Sequence, residues 1–341
     1  MWQQNAKCGE GKANVAKARQ PVGQAQMAGK VSVDAVVIGR NEGARLVACL
    51  QSLRGQVRRL VYVDSGSTDG SVEAATGLGA EVVALDMSQP FTAARARNAG
   101  LAALSDSPPT FVQFVDGDCV LQPDWIDTAL AAFADHPAAV VVCGRRREMF
   151  PEASVFNALA DREWDTPVGQ AQACGGDALM RFAAVQAVGG YDPALIAGEE
   201  PDLCWRLRAR GGEVWRIAAE MTLHDAAMTR FSQWWRRTVR AGHAFAEGRA
   251  KHGPDHWGAE TRRALIWGAG LPMVVLIAGG LVPYGWALVL VYPAQFLRLA
   301  MRGGVVWGFF TLIGKFAEAR GALGYYWMRA RGRRTRLIEY K

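Results

Sequence analysis

The sequence predicts an α/β fold, a Rossmann-like and mostly parallel sheet with helices on both faces, followed by membrane-associated helices. Three observations predict it. Short β-type apolar runs alternate with helical spacings through the first half of the 341 residues, which favours a parallel sheet. Polar and acidic groups recur just after those runs. Between 264 and 297 there is no Lys, Arg, Asp, Glu or His, a stretch longer than the roughly 20 residues that cross a bilayer once.

Positions 33–38 are the first predicted strand, and Leu46, Val47, Leu50 and Leu53 give 44–53 a helical spacing. A second strand at 60–63 ends in Asp64-Ser-Gly-Ser-Thr-Asp-Gly70, whose small, hydrogen-bonding residues let a ligand approach the backbone. A helix at 71–78 and a strand at 81–84 follow. The alanine-rich 92–104 is helical and places Arg95 and Asn98 one turn apart.

Next comes Phe111-Val-Gln-Phe-Val-Asp-Gly-Asp-Cys119, an apolar run ending abruptly in two carboxylates. At the carboxyl edge of an open sheet, where such folds bind ligands, Asp116 and Asp118 outline a metal-diphosphate site. Carboxylate oxygens are what Mg²⁺ and Mn²⁺ prefer. A surface turn is the alternative, since Asp-Gly is common turn chemistry. The recurrence of acids at Glu42, Asp64, Asp116 and Asp118 favours convergence, because parallel strands end along one edge.

After a helix at 123–134 and a strand at 139–143, Ala173-Cys-Gly-Gly-Asp-Ala178 is a small-residue turn. A helix at 182–188 follows it. In Ile196-Ala-Gly-Glu-Glu-Pro-Asp-Leu203, Pro201 suits the first turn of a helix, so Glu199 and Glu200 sit at its start. There they either stabilise the helix dipole or serve chemistry. A last strand at 213–217 leads to His224, which is either a structural residue or a ligand. The helix 231–247 carries Trp234, Trp235, Arg236, Arg237 and Arg240, a composition suited to a membrane surface.

The net charge of +7 raises nucleic acid as a partner, but its placement argues against it. Arg262 and Arg263 precede the apolar stretch, and Arg329, Arg331, Arg333, Arg334 and Arg336 follow the last one, as cytoplasmic flanks of membrane segments do. No nucleic-acid partner is therefore expected. The six cysteines contain no Cys-x-x-Cys pair, so neither a zinc site nor a disulfide framework is inferred. The expected organisation is a loose tail at 1–30, a catalytic domain at 31–250, a membrane-associated helical region at 251–328 and a basic tail at 329–341. Within the third region, 265–282 and 286–301 are candidate membrane segments, and 305–313 is an interfacial piece. With the domain and basic tail both cytoplasmic, the number of crossings is zero or two.

From Val33 to Gly248 the chain resembles the inverting family 2 glycosyltransferases, whose nucleotide-sugar domain has the GT-A fold. Arg40-Asn-Glu42, Asp64-Ser-Gly-Ser-Thr-Asp69, Ala94-Arg-Ala-Arg-Asn98, Asp116-Gly-Asp118 and Gly198-Glu-Glu-Pro-Asp-Leu203 carry the resemblance. It implies that Glu42 and Asp64 contact the nucleoside, and that Asp118, supported by Asp116, bridges a Mg²⁺ or Mn²⁺ ion to the diphosphate. His224 would complete the metal site. Arg40, Ser65, Arg95, Asn98, Gly175, Gly176 and Asp177 would line the substrate. Glu200 takes the place of the family's catalytic aspartate, with Glu199 as the neighbour most readily confused with it. The implied reaction moves a sugar from a nucleotide-diphosphate sugar to a hydroxyl, with Glu200 as general base. The expected acceptor is lipid-linked or an envelope or exopolysaccharide glycan, at the inner (cytoplasmic) membrane with the catalytic domain facing the cytoplasm. The alternative is a catalytically inactive nucleotide-sugar-binding membrane scaffold.

Overall fold

The computed structural model describes residues 31–333; the expected tail at 1–30 and most of the basic tail at 329–341 lie outside them. The chain opens with β1 (Val33–Gly39), α1 (Ala44–Leu53), β2 (Leu60–Asp64), α2 (Ser71–Gly77), β3 (Glu81–Ala84), α3 (Ala93–Ala103) and β4 (Phe111–Asp116). These elements follow the predicted order. β1 pairs in parallel with β2 and β4, and β2 with β3. Their residues Val36, Val37, Val61, Val63, Phe114 and Val115 are buried, because a sheet covered on both faces is lined mainly by apolar side chains; Asp34 and Gln113 are buried polar exceptions.

Downstream the sheet becomes mixed. β5 (Cys119–Leu121), α4 (Trp125–Asp135), β6 (Ala139–Glu148), α5 (Val155–Trp164), β7 (Gly169–Gln170), β8 (Ala178–Arg181), α6 (Phe182–Ala187), α7 (Glu199–Ala209) and β9 (Glu213–His224) complete the α/β part. The strand order is β3-β2-β1-β4-β8-β6-β9-β5, with β7 on β9. β8 runs antiparallel between β4 and β6. Two strands are longer than their sequence suggests. β6 continues past Cys143 through Arg145, Arg146 and Arg147, and β9 continues past Ile217 to His224. Register shifts interrupt this pairing around Cys143–Arg146 while the ladder persists to His224.

The C-terminal part is helical: α8 (Phe231–His252), α9 (Gly258–Leu265), α10 (Leu271–Leu281), α11 (Val291–Gly303) and α12 (Val305–Ala330). A π turn at Ile266–Gly270 joins α9 to α10, making one continuous helix, Gly258–Leu281. Among the described residues it is the one helix long and apolar enough to cross a membrane. Only 11% of its most apolar window is buried, so it is not the core helix of a soluble domain. The second candidate segment is instead a 3₁₀ turn, Gly285–Leu290, followed by α11. The third, expected as an interfacial piece at 305–313, continues as α12. Lys315 and Glu318 pair with each other at 2.6 Å along the helix, which relieves the isolated charges.

α12 lies along α8 through small residues. A Cβ at Gly242 would overlap the Glu318 backbone, and one at Gly321 would overlap the Val239 carbonyl. Such backbone-to-backbone approach is how helices pack where apolar burial alone gives little preference.

Candidate active site

The register of β1 sets the geometry of the acidic edge. Gly39 faces Asp64 and Ile38 faces Asp116, so the two aspartates end strands two places apart, about 9–10 Å at the usual strand spacing. Antiparallel pairing of β5 with β9 then sets Cys119 opposite His224. This brings His224 Nε2 to 3.3 Å from Asp118 Oδ2.

A buried arginine draws the helix-borne acids to the same place. Arg97 on α3 donates to Asp116 Oδ1 at 2.7 Å and pairs with Glu199 at 3.1 Å and Glu200 at 2.8 Å. Burial works against its charge, but Glu200, Asp116 and Glu199 outweigh that and hold the guanidinium firmly protonated. α7 can begin beside this cation because Gly198, at φ 81°, turns the chain sharply into it. Burial, then the neighbouring Glu199, push Glu200 up to about 7, with Arg97 pulling the other way. That is the range in which a carboxylate serves as a general base near neutral pH.

A second arginine, Arg146 on β6, reaches Asp116 Oδ2 at 3.3 Å and Asp177 Oδ2 at 2.7 Å. Asp177 is fully buried. It accepts the Asp116 N–H at 3.0 Å and the Thr222 hydroxyl at 2.8 Å. Gly176 leaves room for this cluster: a Cβ there would stand 2.6 Å from Asp116 Oδ2 and 3.0 Å from Arg97.

Asp118, Cys119 and His224 form a possible cation site. Burial and the nearby Arg146 charge depress His224 to about 4, so its imidazole is neutral and carries a lone pair. Its Nδ1 is buried with no hydrogen-bond partner among the described residues, and Trp164 walls the ring at 4.8 Å. Burial raises the Cys119 thiol well above its ordinary range, and Sγ lies 3.7 Å from Asp118 Oδ1 as a donor. The Asp118 carboxylate fits Mg²⁺ or Mn²⁺, and the neutral imidazole adds a nitrogen ligand of the kind transition-metal ions accept, whereas a protonated thiol suits neither.

Several expected residues take other roles. Arg95 faces away from the acids and donates to the carbonyls of Asp86, Gln89 and Pro90. Asn98 exchanges two hydrogen bonds with the Tyr191 backbone. Neither side chain reaches the acidic cluster. Asp177 holds Asp116 and Arg146 in place. Asp64 is largely committed to its own loop: Oδ2 accepts from Gly66 and Ser67 N–H at 2.9 and 3.0 Å, and Oδ1 from Tyr62 at 2.9 Å. Ser65 is buried, with its hydroxyl unpartnered among the described residues. Glu42 pairs with Arg45 at 2.7 Å. Arg40 and Gly175 are exposed.

Arg97 and Arg146 were not among the expected site residues. Arg97 shares a helical face with Gly100, Leu101 and Leu104, at i+3, i+4 and i+7, and that spacing is the signal that finds it. Asn41 also contributes, its Oδ1 accepting the Thr68 N–H at 2.7 Å and its own N–H reaching Ser67 Oγ at 2.9 Å. It ties the β1 and β2 loops together.

The chain is similar to the pre-mycofactocin glycosyltransferase of Mycobacterium tuberculosis, 28% identical over 281 residues, covering 79% of this chain and 56% of that protein. It is also similar to the succinoglycan biosynthesis protein ExoA of Rhizobium meliloti, 29% identical over 191 residues, covering 51% and 57%. It thus spans little more than half the length of these curated relatives. Among solved structures, a mannosyltransferase from Pyrobaculum calidifontis, in complex with GDP-Man and Mn²⁺, matches with a TM-score of 0.62 at 18% identity, covering 88% of each chain. That likeness establishes a GT-A-like fold. The profile of Glycosyl transferase family 2 matches residues 34–166, the segment that holds Asp64, Arg97, Asp116 and Asp118. Those residues of this chain are therefore a Glycosyl transferase family 2 domain.

Proposed function

We propose that the protein is an inverting glycosyltransferase that moves a sugar from a nucleotide-diphosphate sugar to a hydroxyl acceptor. The observation that carries this is Arg97, which gathers Asp116 from a strand end and Glu199 and Glu200 from a helix start into one buried cluster. Glu200 is the base: it accepts the acceptor's hydroxyl proton as that oxygen bonds to the anomeric carbon. The bond from that carbon to the diphosphate oxygen breaks, its electron pair leaves with the diphosphate, and configuration inverts. Glu199 is more deeply buried and serves to raise its neighbour.

Asp118 and His224 would hold a divalent cation, Mg²⁺ or Mn²⁺, which supplies charge neutralisation at the leaving diphosphate. The Pyrobaculum protein's Mn²⁺ and GDP-Man support this assignment. Asp116, fixed by both arginines, presents the edge to the donor, while Ser65 and the loop tied by Asn41 face the nucleoside. The acceptor is a lipid-linked or polysaccharide-type glycan at the cytoplasmic membrane. The succinoglycan relative and the exposed apolar C-terminal helix support that choice.

Thermal melts with a panel of nucleotide sugars, with and without Mn²⁺, test the donor site, because a bound ligand stabilises the folded state. Asp118→Ala is expected to lose the Mn²⁺-dependent rise in Tm with the best donor. An undiminished rise in this variant would refute the metal assignment. Donor binding without sugar transfer to any hydroxyl acceptor would instead favour the catalytically inactive scaffold.

A further inference from the structure

We infer that the C-terminal helices are a monotopic membrane anchor: a finger at 271–290 enters a single leaflet, crosses nothing, and leaves α11 lying in the headgroup layer. This goes beyond the proposed reaction and does not depend on it.

The geometry sets the depth. Both ends of the finger are clamped to α12 at one level. Gly268 backs onto Lys315, and the Tyr292 hydroxyl donates to the Trp267 carbonyl at 2.9 Å while its ring lies 5.8 Å from Phe316. Beyond that clamp, α10 and the 3₁₀ turn pack mainly on each other, Gly285 against Ala278 and Trp286 against Gly279. The continuous helix Gly258–Leu281 would span a bilayer if it were free, but its first part packs on α8 and α12; beyond Gly268, residues 269–281 rise only about 20 Å at 1.5 Å each, short of a hydrocarbon core of about 30 Å.

α11 turns back instead of extending outward. It runs antiparallel to α12, with Gly308 against Ala300, and ends where Arg162 of α5 donates to the Gly303 carbonyl at 2.5 Å and covers Trp307 at 4.8 Å. This path keeps α11 beside the catalytic domain.

The surface chemistry fits a lipid leaflet. Met273, Leu276, Ile277, Leu281 and Val282 are exposed along the finger, and Tyr284 at its tip is 93% exposed. At its foot stand exposed Arg262 and Arg263, and on α11 an exposed basic pair, Arg298 and Arg302, runs beside an exposed apolar pair, Leu297 and Met301. A basic stripe beside an apolar one is how a helix rests at an anionic interface. A convex finger with no charge between 264 and 297 needs a fluid apolar solvent rather than a shaped protein cleft.

The test uses the full chain carrying Cys8→Ser and Tyr284→Cys in sealed phosphatidylglycerol–phosphatidylethanolamine vesicles, with the catalytic domain outside. The five described native cysteines are buried. A membrane-impermeant maleimide is supplied outside or trapped inside, and an NBD label placed at 284 before reconstitution is quenched by lipids brominated at different depths. No maleimide labelling from either side, with quenching greatest from bromines deep in the acyl chain, is expected. Labelling from the lumen would mean two crossings, and labelling from outside would mean no insertion; either overturns the inference. Val289→Cys repeats the experiment should Tyr284→Cys fail to fold. Sugar transfer assayed in parallel separates failure of the anchor from failure of the catalytic reading.

Discussion

Replacing Glu200 by glutamine is expected to lower the rate of sugar transfer by roughly 10²–10⁴-fold, the usual contribution of a positioned general base, while leaving donor affinity within a few-fold of wild type. The amide keeps the shape of the side chain but cannot take the acceptor's proton. The expected pH profile of the wild-type rate has the matching sign. Glu200, held up to about 7 by burial and by Glu199, is protonated and inactive below that value and competent above it, so the rate rises with pH through about 7 and then levels. The same shift acts on stability in the opposite sense. The folded chain retains a proton that the unfolded chain releases near the ordinary glutamate value of 4.5, so this group's contribution to stability weakens as pH climbs from about 4.5 to 7. Transfer of radiolabelled sugar across a pH series, with calorimetric titration of donor into both proteins, checks the rate, the affinity and the pH profile, and urea unfolding across the same series checks the stability trend. A rate in Glu200→Gln close to wild type would move the base assignment to Glu199.

Arg97→Ala is expected to be the most destabilising single change in the site. Removing one member of a buried ion cluster leaves uncompensated charge and costs about 3–5 kcal/mol; here Asp116, Glu199 and Glu200 all lose their shared partner. Urea unfolding measures the loss as a lower midpoint. Because Arg97 lowers the proton affinity of Glu200, whatever activity survives should show its acidic limb displaced to higher pH. Arg97→Lys separates charge from geometry: it restores the cation without the planar fork, so recovery of stability is expected to exceed recovery of rate. An Arg97→Ala protein as stable and as active as wild type would show that the cluster organises nothing.

The contrast between Arg97 and Arg95 shows what the sequence makes legible. The acids at the ends of β2 and β4 stand out because largely apolar runs end in them, so strand, edge and carboxylates can be read together. On α3 nearly every other residue is alanine, and alanine marks neither a wet nor a dry face. Arg95 and Arg97, two positions apart, point in nearly opposite directions, and only the later Leu101 and Leu104 mark the Arg97 face as the inner one. Arg146 was hidden for a different reason. Gly144-Arg-Arg-Arg147 reads as a charged loop, yet it is ladder, stabilised by β9 and by acids distant in sequence. His224 stood beside Asp118 only as the family resemblance implies it; the pairing of Cys119 with His224 is what puts it there. In the C-terminal part, composition marks the apolar stretch and its break at 283–285 but not its path, since the return along α12 is set by packing.

Asp202, two residues beyond the base, grips both Lys251 and His252 at the far end of α8, and the middle of α8 is wedged against α12 by contacts that leave no room for a methyl group. On the proposed reading, Glu200 is thereby geared through α8 to α12, the helix to which the proposed lipid-borne finger is clamped. Turnover on a freely soluble acceptor is accordingly expected to vary with acyl-chain length at constant headgroup composition; a rate indifferent to bilayer thickness would mean that the gearing slips.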